Sequence, residues 1–531
     1  MTPPSPTPSR RTVVTAVWAA PTITVLSAAP SFAASGTIAP GASNGIARTR
    51  TLNLLLTLTP APADPLTVAD VAALYSAPDT TTTAFAPTGS GTGPGATYLL
   101  TATTATTPAP DTITVSGAIR GYGTIPSTVV ELVKAGSRDN AFSTALAGSI
   151  GGQVFALAVQ PNGGIIVGGS LADAQGRDAR SVQRLDPSGR PDPAFDVGAF
   201  DRVVSCLAID AAGGILVGGT FTQVGTRATG PLVRFTSDGV LDTDFLAALG
   251  AGFASLGGGP IVSVQSLAVQ ADGKIVVGGV FTHLDGQPSG CVARLHPDGR
   301  PDLAFLAEVG VGAEYPGSRA YLPGFIASLD VDAAGRILAA GSFSSFAGDR
   351  AVNSLVRLQP DGRRDADFRS AKGPGMFDVI WAVRAQPDGR VLIGGGFRTF
   401  DGQAAVGLTR LMPDGTRDAD FTAALGTGFD YSSVRAIALQ PDGRIIVGGG
   451  FSTVSGTTGI NQIVRLDPSG TRETIFSVNT GSGFTGTAGV GSGARGVNVI
   501  VRQADGRLIV GGVFTAHDGT TGLGKVVRLF G

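Results

Sequence analysis

The sequence predicts an all-β fold: a seven-bladed β-propeller closed by an N-terminal segment and preceded by a small Thr/Ala/Pro-rich β or linker region. Three observations carry this reading. The first is a repeated phrase: three apolar residues, Gly-Gly, any residue, an aromatic, then Arg-Leu, a Pro-Asp-Gly turn and Asp-x-x-Phe. Its first copy runs Ile165-Ile166-Val167-Gly168-Gly169, then Arg184-Leu185, then Asp192-Pro193-Ala194-Phe195. Its first glycine position falls at Gly168, Gly218, Gly278, Ala340, Gly394, Gly448 and Gly511. A unit of that length cannot bury its own apolar face, so copies must stack. The second observation is strand periodicity. In the third copy VQSLAVQ (264–270) alternates, Ala271-Asp272-Gly273 turns the chain, and KIVVGGVF (274–281) returns as a hairpin. CVARL (291–295) is a third strand, and the segment after PDLAF (301–305) is read as a loop with room for a short fourth. The third is the way the copies begin and end. Arg528-Leu529 ends the chain without its Asp-x-x-Phe, and an orphan ELVKAGSRDNAF (131–142) precedes the first copy with Asp139 and Phe142 at the right spacing. Joining the two halves makes seven units and removes both sheet edges. In that reading Glu131 stands in the place of the arginine.

Within the phrase each residue type has a structural reason. A Gly-Gly pair in a strand admits close approach of a backbone or a large side chain, and Phe221, Phe281, Phe343, Phe397, Phe451 and Phe514, with Leu171 in the first copy, are placed to fill that space. The fourth copy reads Ala339-Ala340-Gly341 and is expected to pack differently. Arg184 precedes Asp192 by the interval that also separates Arg234 from Asp242, Arg294 from Asp302, Arg357 from Asp365, Arg410 from Asp418 and Arg465 from Glu473. A fixed interval amid variable loops points to an ion pair that pins the third strand to the following turn. Asp272, Asp298, Asp361, Asp388, Asp414, Asp442 and Asp505 each precede a turn glycine, where Asp bonds its own backbone.

The phrase QPDGKIVVGGxF…RLxPDGxxDxxF resembles the bacterial delta-60 repeat family, of the β-propeller type. Pro441-Asp442-Gly443, Ile446-Val447-Gly448-Gly449, Phe451, Arg465-Leu466 and Phe476 carry the likeness, which covers about 127–531. It implies an exported or surface protein without established chemistry, so no catalytic residue is carried over.

Upstream of the repeats, residues 1–34 read as an export signal. Arg10-Arg11 precedes an apolar stretch that ends in the small residues Ser31, Ala33 and Ala34, which is similar to a bacterial twin-arginine leader. Residues 35–126 read as a Thr/Ala/Pro/Gly-rich linker or a small β-rich accessory region. Strands are expected at 51–59 and 96–103 and a short helix at 66–75. A degenerate eighth repeat around 110–117 stays an open alternative. Secretion or display at a bacterial cell surface follows from the leader.

Function classes narrow by exclusion. Net charge is −1 with 39 basic and 40 acidic residues, which speaks against nucleic acid as a partner. No long apolar run indicates a membrane span. Cys206 and Cys291 occupy different repeat positions and read as small buried hydrophobes. His283 and His517 read as solvated loop residues and His296 as a turn variant. No catalytic or metal-ligating constellation is present and no cofactor is expected, with structural calcium left open. The leading reading is a secreted, non-enzymatic binding or surface-structural module whose partner is a protein or glycan at the propeller face. Tyr315 and Tyr321, in the loop 310–325, are the candidate contacts, and Trp381 and Tyr431 are further candidates for a surface. The alternative is an extracellular polysaccharide hydrolase or lyase at the channel mouth, which needs paired acids.

Overall fold

The computed structural model describes residues 22–29, 50–59, 71–75, 80–87, 97–104, 112–119, 123–131, 136–146, 149–172, 181–255, 261–314, 324–369, 379–430, 433–486 and 496–531. It divides into two units, Met1–Val133 and Lys134–Gly531. The first holds two antiparallel sheets. Thr22–Ala29, Arg50–Thr59, Thr97–Thr104 and Thr80–Pro87 pair in that order, and Val71–Tyr75, Thr112–Ile119 and Gly123–Glu131 form the second sheet. Val71–Tyr75 is therefore a strand where a helix was expected: its apolar run is too short to hold a helical period and pairs with Ser116 and its neighbours instead.

The second unit is an all-β, multi-bladed propeller-like arrangement. Among the described residues it contains seven three-stranded antiparallel sheets. Each begins with an inner strand: Gly151–Val159, Val204–Ile209, Ser263–Val269, Phe325–Val331, Ile380–Ala385, Val434–Leu439 and Val497–Arg502. A middle strand carries the apolar-Gly-Gly run and an outer strand carries the arginine, as in Ile275–Val280 and Val292–Leu295 of the third sheet. Each inner strand packs against the inner strand of the next sheet, and the seventh packs against the first.

Between middle and outer strands the expected loop folds into a two-residue hairpin in most sheets, such as His283–Leu284 with Gln287–Pro288. After the outer strand comes a short helix rather than a fourth strand: Thr243–Ala248, Leu303–Val309, Ala419–Leu425 and Thr474–Asn479, with Asn140–Leu146 preceding the first sheet. The Asp of Asp-x-x-Phe caps three of these helices, although Asp192 and Asp365 hold the same position with no helix after them. Asp242, Asp302 and Asp418 accept the N–H of Phe245, Phe305 and Phe421 and so cap the first turn. Helices of six or seven residues are too short to leave a period in the sequence.

The two glycines of each pair have separate tasks. Every inner strand carries a β-bulge opposite them, for example between Val204 and Cys206. A Cβ on the second glycine would strike the carbonyl oxygen before the bulge: Val203 for Gly219, Ser263 for Gly279, Val379 for Gly395. A Cβ on the first would enter side chains of the next sheet: Val204 for Gly168, Val264 for Gly218, Ile326 for Gly278, Val434 for Gly394, Val497 for Gly448, and Val154 of the first sheet for Gly511. The fourth copy keeps the same register, with Ala340 opposite Ser328. Its methyl is fully buried in a core shared with Ile380.

Candidate functional site

Each outer-strand arginine is the centre of a clip. Arg410 donates from Nε to Asp418 Oδ2 at 2.8 Å, and its Nη1 reaches the Pro468 carbonyl in the turn of the next sheet. Its guanidinium lies 4.4 Å from the centroid of Phe421. Phe421 in turn covers Gly470 of that same turn, whose φ of 100° leaves no space for a side chain. Arg184, Arg234, Arg294 and Arg357 repeat the arrangement with Asp192, Asp242, Asp302 and Asp365, over Phe195, Phe245, Phe305 and Phe368. Their Nη1 groups reach the carbonyls of Ser237, Pro297, Pro360 and Pro413. In Asp242, Asp302 and Asp418 one carboxylate thus does two jobs: one oxygen caps the helix and the other holds the arginine. Burial pushes the Asp418 carboxyl upward, but the Phe421 N–H and Arg410 hold it below its usual range.

The same clip forms between the two ends of the repeat region. Arg528 pairs with Asp139 at 2.7 Å, stacks 4.4 Å over Phe142 and donates to the Pro187 carbonyl of the first sheet at 2.6 Å. Gly136 supplies the missing turn glycine: it lies against Phe476 with φ 92° and donates to the Phe530 carbonyl at 2.7 Å. Gly136, Asp139 and Phe142 keep the spacing of Gly189, Asp192 and Phe195. Glu131 lies in a strand of the first unit and does not replace an arginine, because Arg528 itself holds Asp139.

A contrasting position lies at the inner edge. The bulge leaves one residue of each inner strand unpaired: Phe155, Ser205, Gln265, Ala327, Trp381, Arg435 and Asn498. Each is half-buried and follows a fully buried Val or Ile. Seven equivalent positions carry seven different side chains. Adjacent members touch: the Arg435 guanidinium lies 4.9 Å from the Trp381 ring, and Asn498 Nδ2 donates to the Val154 carbonyl, one residue before Phe155, at 3.0 Å. Burial lowers the pKa of Arg435. The inner strands also carry Arg384, Arg502 and one carboxylate, Asp330. Arg384 donates to the carbonyls of Ile437 and Val383, and Asp330 accepts the Ala385 N–H at 2.8 Å.

Comparison with known proteins fits this geometry. Segments 160–195, 213–245, 270–305, 335–368, 386–421, 440–476 and 503–530 match a family described as domain of unknown function (DUF5122) beta-propeller. The chain carries a β-propeller domain of unknown function. The propeller segments fall one to a sheet, and the first six end on the clip phenylalanine; in the seventh sheet Arg528 lies over Phe142. No curated protein matches the chain in sequence. Solved structures similar to the propeller are remote. The extracellular domain of BT4673 from B. thetaiotaomicron is 11% identical, with TM-score 0.40 over 79% of this chain and 44% of its own, so the chain spans less than half of that protein. The WD40 β-propeller domain of Doa1 is 15% identical with TM-score 0.39, covering 73% and 96%. The gluconolactonase XC5397 from Xanthomonas campestris is 14% identical with TM-score 0.32, covering 75% and 96%.

Of the residues singled out in the sequence, Tyr315, Tyr321 and Tyr431 lie outside the described residues, whereas Trp381 belongs to the inner set. Cys206 and Cys291 are unpaired and buried, as expected; burial raises both thiols, Cys291 to about 12. The seven turn aspartates each accept the N–H two residues on, as Asp272 does from Lys274. Among the described residues no group of three or more His, Cys, Asp or Glu could hold a metal ion, and no helix is long and apolar enough to cross a membrane. His517 is a correction. It is 1% exposed, not solvated, and packs edge-on against Phe484 at 4.6 Å. It occupies the place of Val224, Leu284, Phe346, Phe400 and Val454 in the other hairpins, and burial drops its pKa to about 4. A cleft of about 560 Å³ between the first and second sheets is lined by Arg184, Asp192, Asp201 and Arg202. Arg184 is committed to Asp192, and Asp201 to Thr222 and Gln223, so it offers less free chemistry than the inner edge.

Proposed function

We propose that the second unit is a seven-bladed propeller closed by residues 136–146, related to the delta-60 repeats, and that the protein is exported by its twin-arginine-like leader to act outside a bacterial cell as a non-enzymatic binding or surface-structural module. The observation that supports binding is the inner set of bulged residues. Structural positions recur from copy to copy, whereas this position changes in each while remaining half-exposed, which suits recognition on a rigid frame. A partner protein or glycan would meet the propeller on that face. The hydrolase or lyase reading ranks behind, because paired acids are needed and the inner strands carry Asp330 alone, engaged by Ala385.

Incubation of the full chain with cell-wall fractions tests this. Saturable co-sedimentation without release of reducing ends is expected. Sustained release of reducing ends, or of unsaturated uronate products seen by ultraviolet absorbance, would put the enzyme reading first. Absence of any sedimentation would overturn the binding reading.

A further inference from the structure

Thr22–Ala29 is the outermost strand of the four-stranded sheet in the first unit, and it lies inside the segment read as the export leader. It pairs antiparallel with Arg50–Thr59, whose other side pairs with Thr97–Thr104. Cleavage near Ala33 or Ala34 would carry this strand away. One side of Arg50–Thr59 would then lose its backbone partners from Asn53 to Thr59. An unpaired strand edge is a template for another strand, and natural edges are blunted by charge, proline or a bulge. The opposite edge of this sheet, Thr80–Pro87, has such a bulge between Thr82 and Ala84 and ends on proline. Residues 51–59, Thr-Leu-Asn-Leu-Leu-Leu-Thr-Leu-Thr, carry no charge and no proline.

The sequence of the edge itself names its occupant. It reads almost the same in both directions about Leu55. Laid antiparallel on a second copy with Leu55 opposite Leu55, Thr51 meets Thr59, Leu52 meets Leu58, Asn53 meets Thr57 and Leu54 meets Leu56. Every position matches polar with polar and leucine with leucine, and the pairing ends where Pro60 comes opposite Arg50. The leader strand follows the same rule: Thr22, Ile23, Thr24 and Val25 stand opposite Thr59, Leu58, Thr57 and Leu56. A second copy offers Thr51, Leu52, Asn53 and Leu54 to those positions. Further along, the leader strand slips by one residue between Val25 and Ser27, whereas the self-pairing needs no slip. Resting on the leader reading above, we infer that removal of the leader uncovers the edge of Arg50–Thr59 and that two copies of the processed chain join there as a two-fold antiparallel pair. The unprocessed chain is kept single by its own Thr22–Ala29. The processed pair carries two propellers, and with them two copies of any binding face.

The test expresses the full chain with its leader in a bacterium that exports it. The cytoplasmic and exported forms are then compared by N-terminal mass and by sedimentation. The exported form is expected to have lost Thr22–Ala29 and to sediment as two chains, and the form that keeps this strand as one. Leu55→Cys is expected to cross-link the exported form under mild oxidation, because directly opposed antiparallel residues have Cα atoms about 4.5–5.5 Å apart, within reach of a disulfide. Thr51→Cys alone is expected to stay uncross-linked, since its opposite is Thr59, whereas Thr51→Cys combined with Thr59→Cys cross-links. Cys206 and Cys291 are buried and do not compete. The double variant decides the matter if Leu55→Cys does not fold. An exported form that has lost the strand and stays single overturns the inference and leaves the leader reading standing. So does a pair that neither Leu55→Cys nor the double variant cross-links, or one in which Thr51→Cys cross-links as readily as Leu55→Cys, since the copies then meet elsewhere or in another register. Should the exported form keep Thr22–Ala29, the leader reading falls and the inference falls with it, because the edge stays occupied.

Discussion

At the outer edge of the sheets the same contacts recur: arginine on carboxylate, guanidinium on phenylalanine and, in six of the seven, phenylalanine on the next turn's glycine. At the inner edge the bulged residue is Phe155, Ser205, Gln265, Ala327, Trp381, Arg435 or Asn498, different in each sheet. The outer group joins neighbouring sheets and has every partner inside the molecule. The inner one faces its counterparts and has few obligations to the fold. The contrast separates what holds the propeller together from what it has available for recognition, and it can be broken at either edge.

The largest effect is expected where backbone leaves no space. Gly219→Val puts side-chain atoms onto the Val203 carbonyl oxygen and the Phe221 ring, at a bulge that cannot move without losing its pairing. A loss of about 4 kcal/mol or more is expected, enough to prevent folding of the second sheet. Denaturation followed by circular dichroism checks it. A loss below about 1 kcal/mol would mean the bulge is not required.

Next comes the clip. Arg410→Met leaves Asp418, only 6% exposed, with Arg390 at 3.7 Å as its remaining cation, at a cost of about 3 kcal/mol, the low end for breaking a buried pair. Arg528→Met does the same to Asp139, which is 6% exposed, 389 residues away in sequence and left with Arg507 at 3.7 Å. The two substitutions are expected to agree within about 1 kcal/mol if the junction of the seventh and first sheets is a clip like the others. A much smaller loss for Arg528→Met would argue that the ends stay apart in solution. Urea midpoints with unchanged m-values give the comparison directly.

How much of this was legible in the sequence follows from the same division. The Arg–Asp interval, the paired glycines and the Asp139–Phe142 fragment are readable because each keeps a fixed spacing. Gly136 escaped because Lys134-Ala135 before it holds neither a Pro nor an Asp, one or both of which precede each of the other turn glycines. The helices were invisible since six or seven residues carry no period, although the Asp that caps them was in plain view as the partner of the arginine. The inner ring was hidden for a different reason: a bulge breaks the alternation of VSCLAI or VRAIAL by one residue, and nothing local says which residue was displaced. His517 could have been placed correctly by aligning the hairpins, since Val224, Leu284, Phe346, Phe400 and Val454 all stand at its position.

That histidine gives the third prediction. Unfolded, its imidazole takes a proton near the usual 6.5; folded, burial, with Arg138 adding to it and Asp518 opposing, delays this to about 4. The unfolded state therefore binds the additional proton between those values. Stability is fully present above about pH 6.5 and falls as pH drops toward 4, by roughly 1.4 kcal/mol per unit and about 3 kcal/mol in all. His517→Leu, which restores the residue type of Leu284, is expected to abolish that part of the acid sensitivity and to change little at pH 7.5. Parallel slopes of melting temperature against pH for both proteins would show that His517 is not the group responsible.

The smallest effect is expected at the inner edge. Ser205→Ala removes a hydroxyl from a bulged residue that the ladder does not use, flanked by Val204 and Cys206, whose burial carries the packing. A change within about 0.5 kcal/mol is expected, against several for the outer arginines. If Ser205→Ala instead costs as much as a clip, the inner position is part of the framework, and its variation from sheet to sheet reflects individual packing rather than a surface free to recognise a ligand.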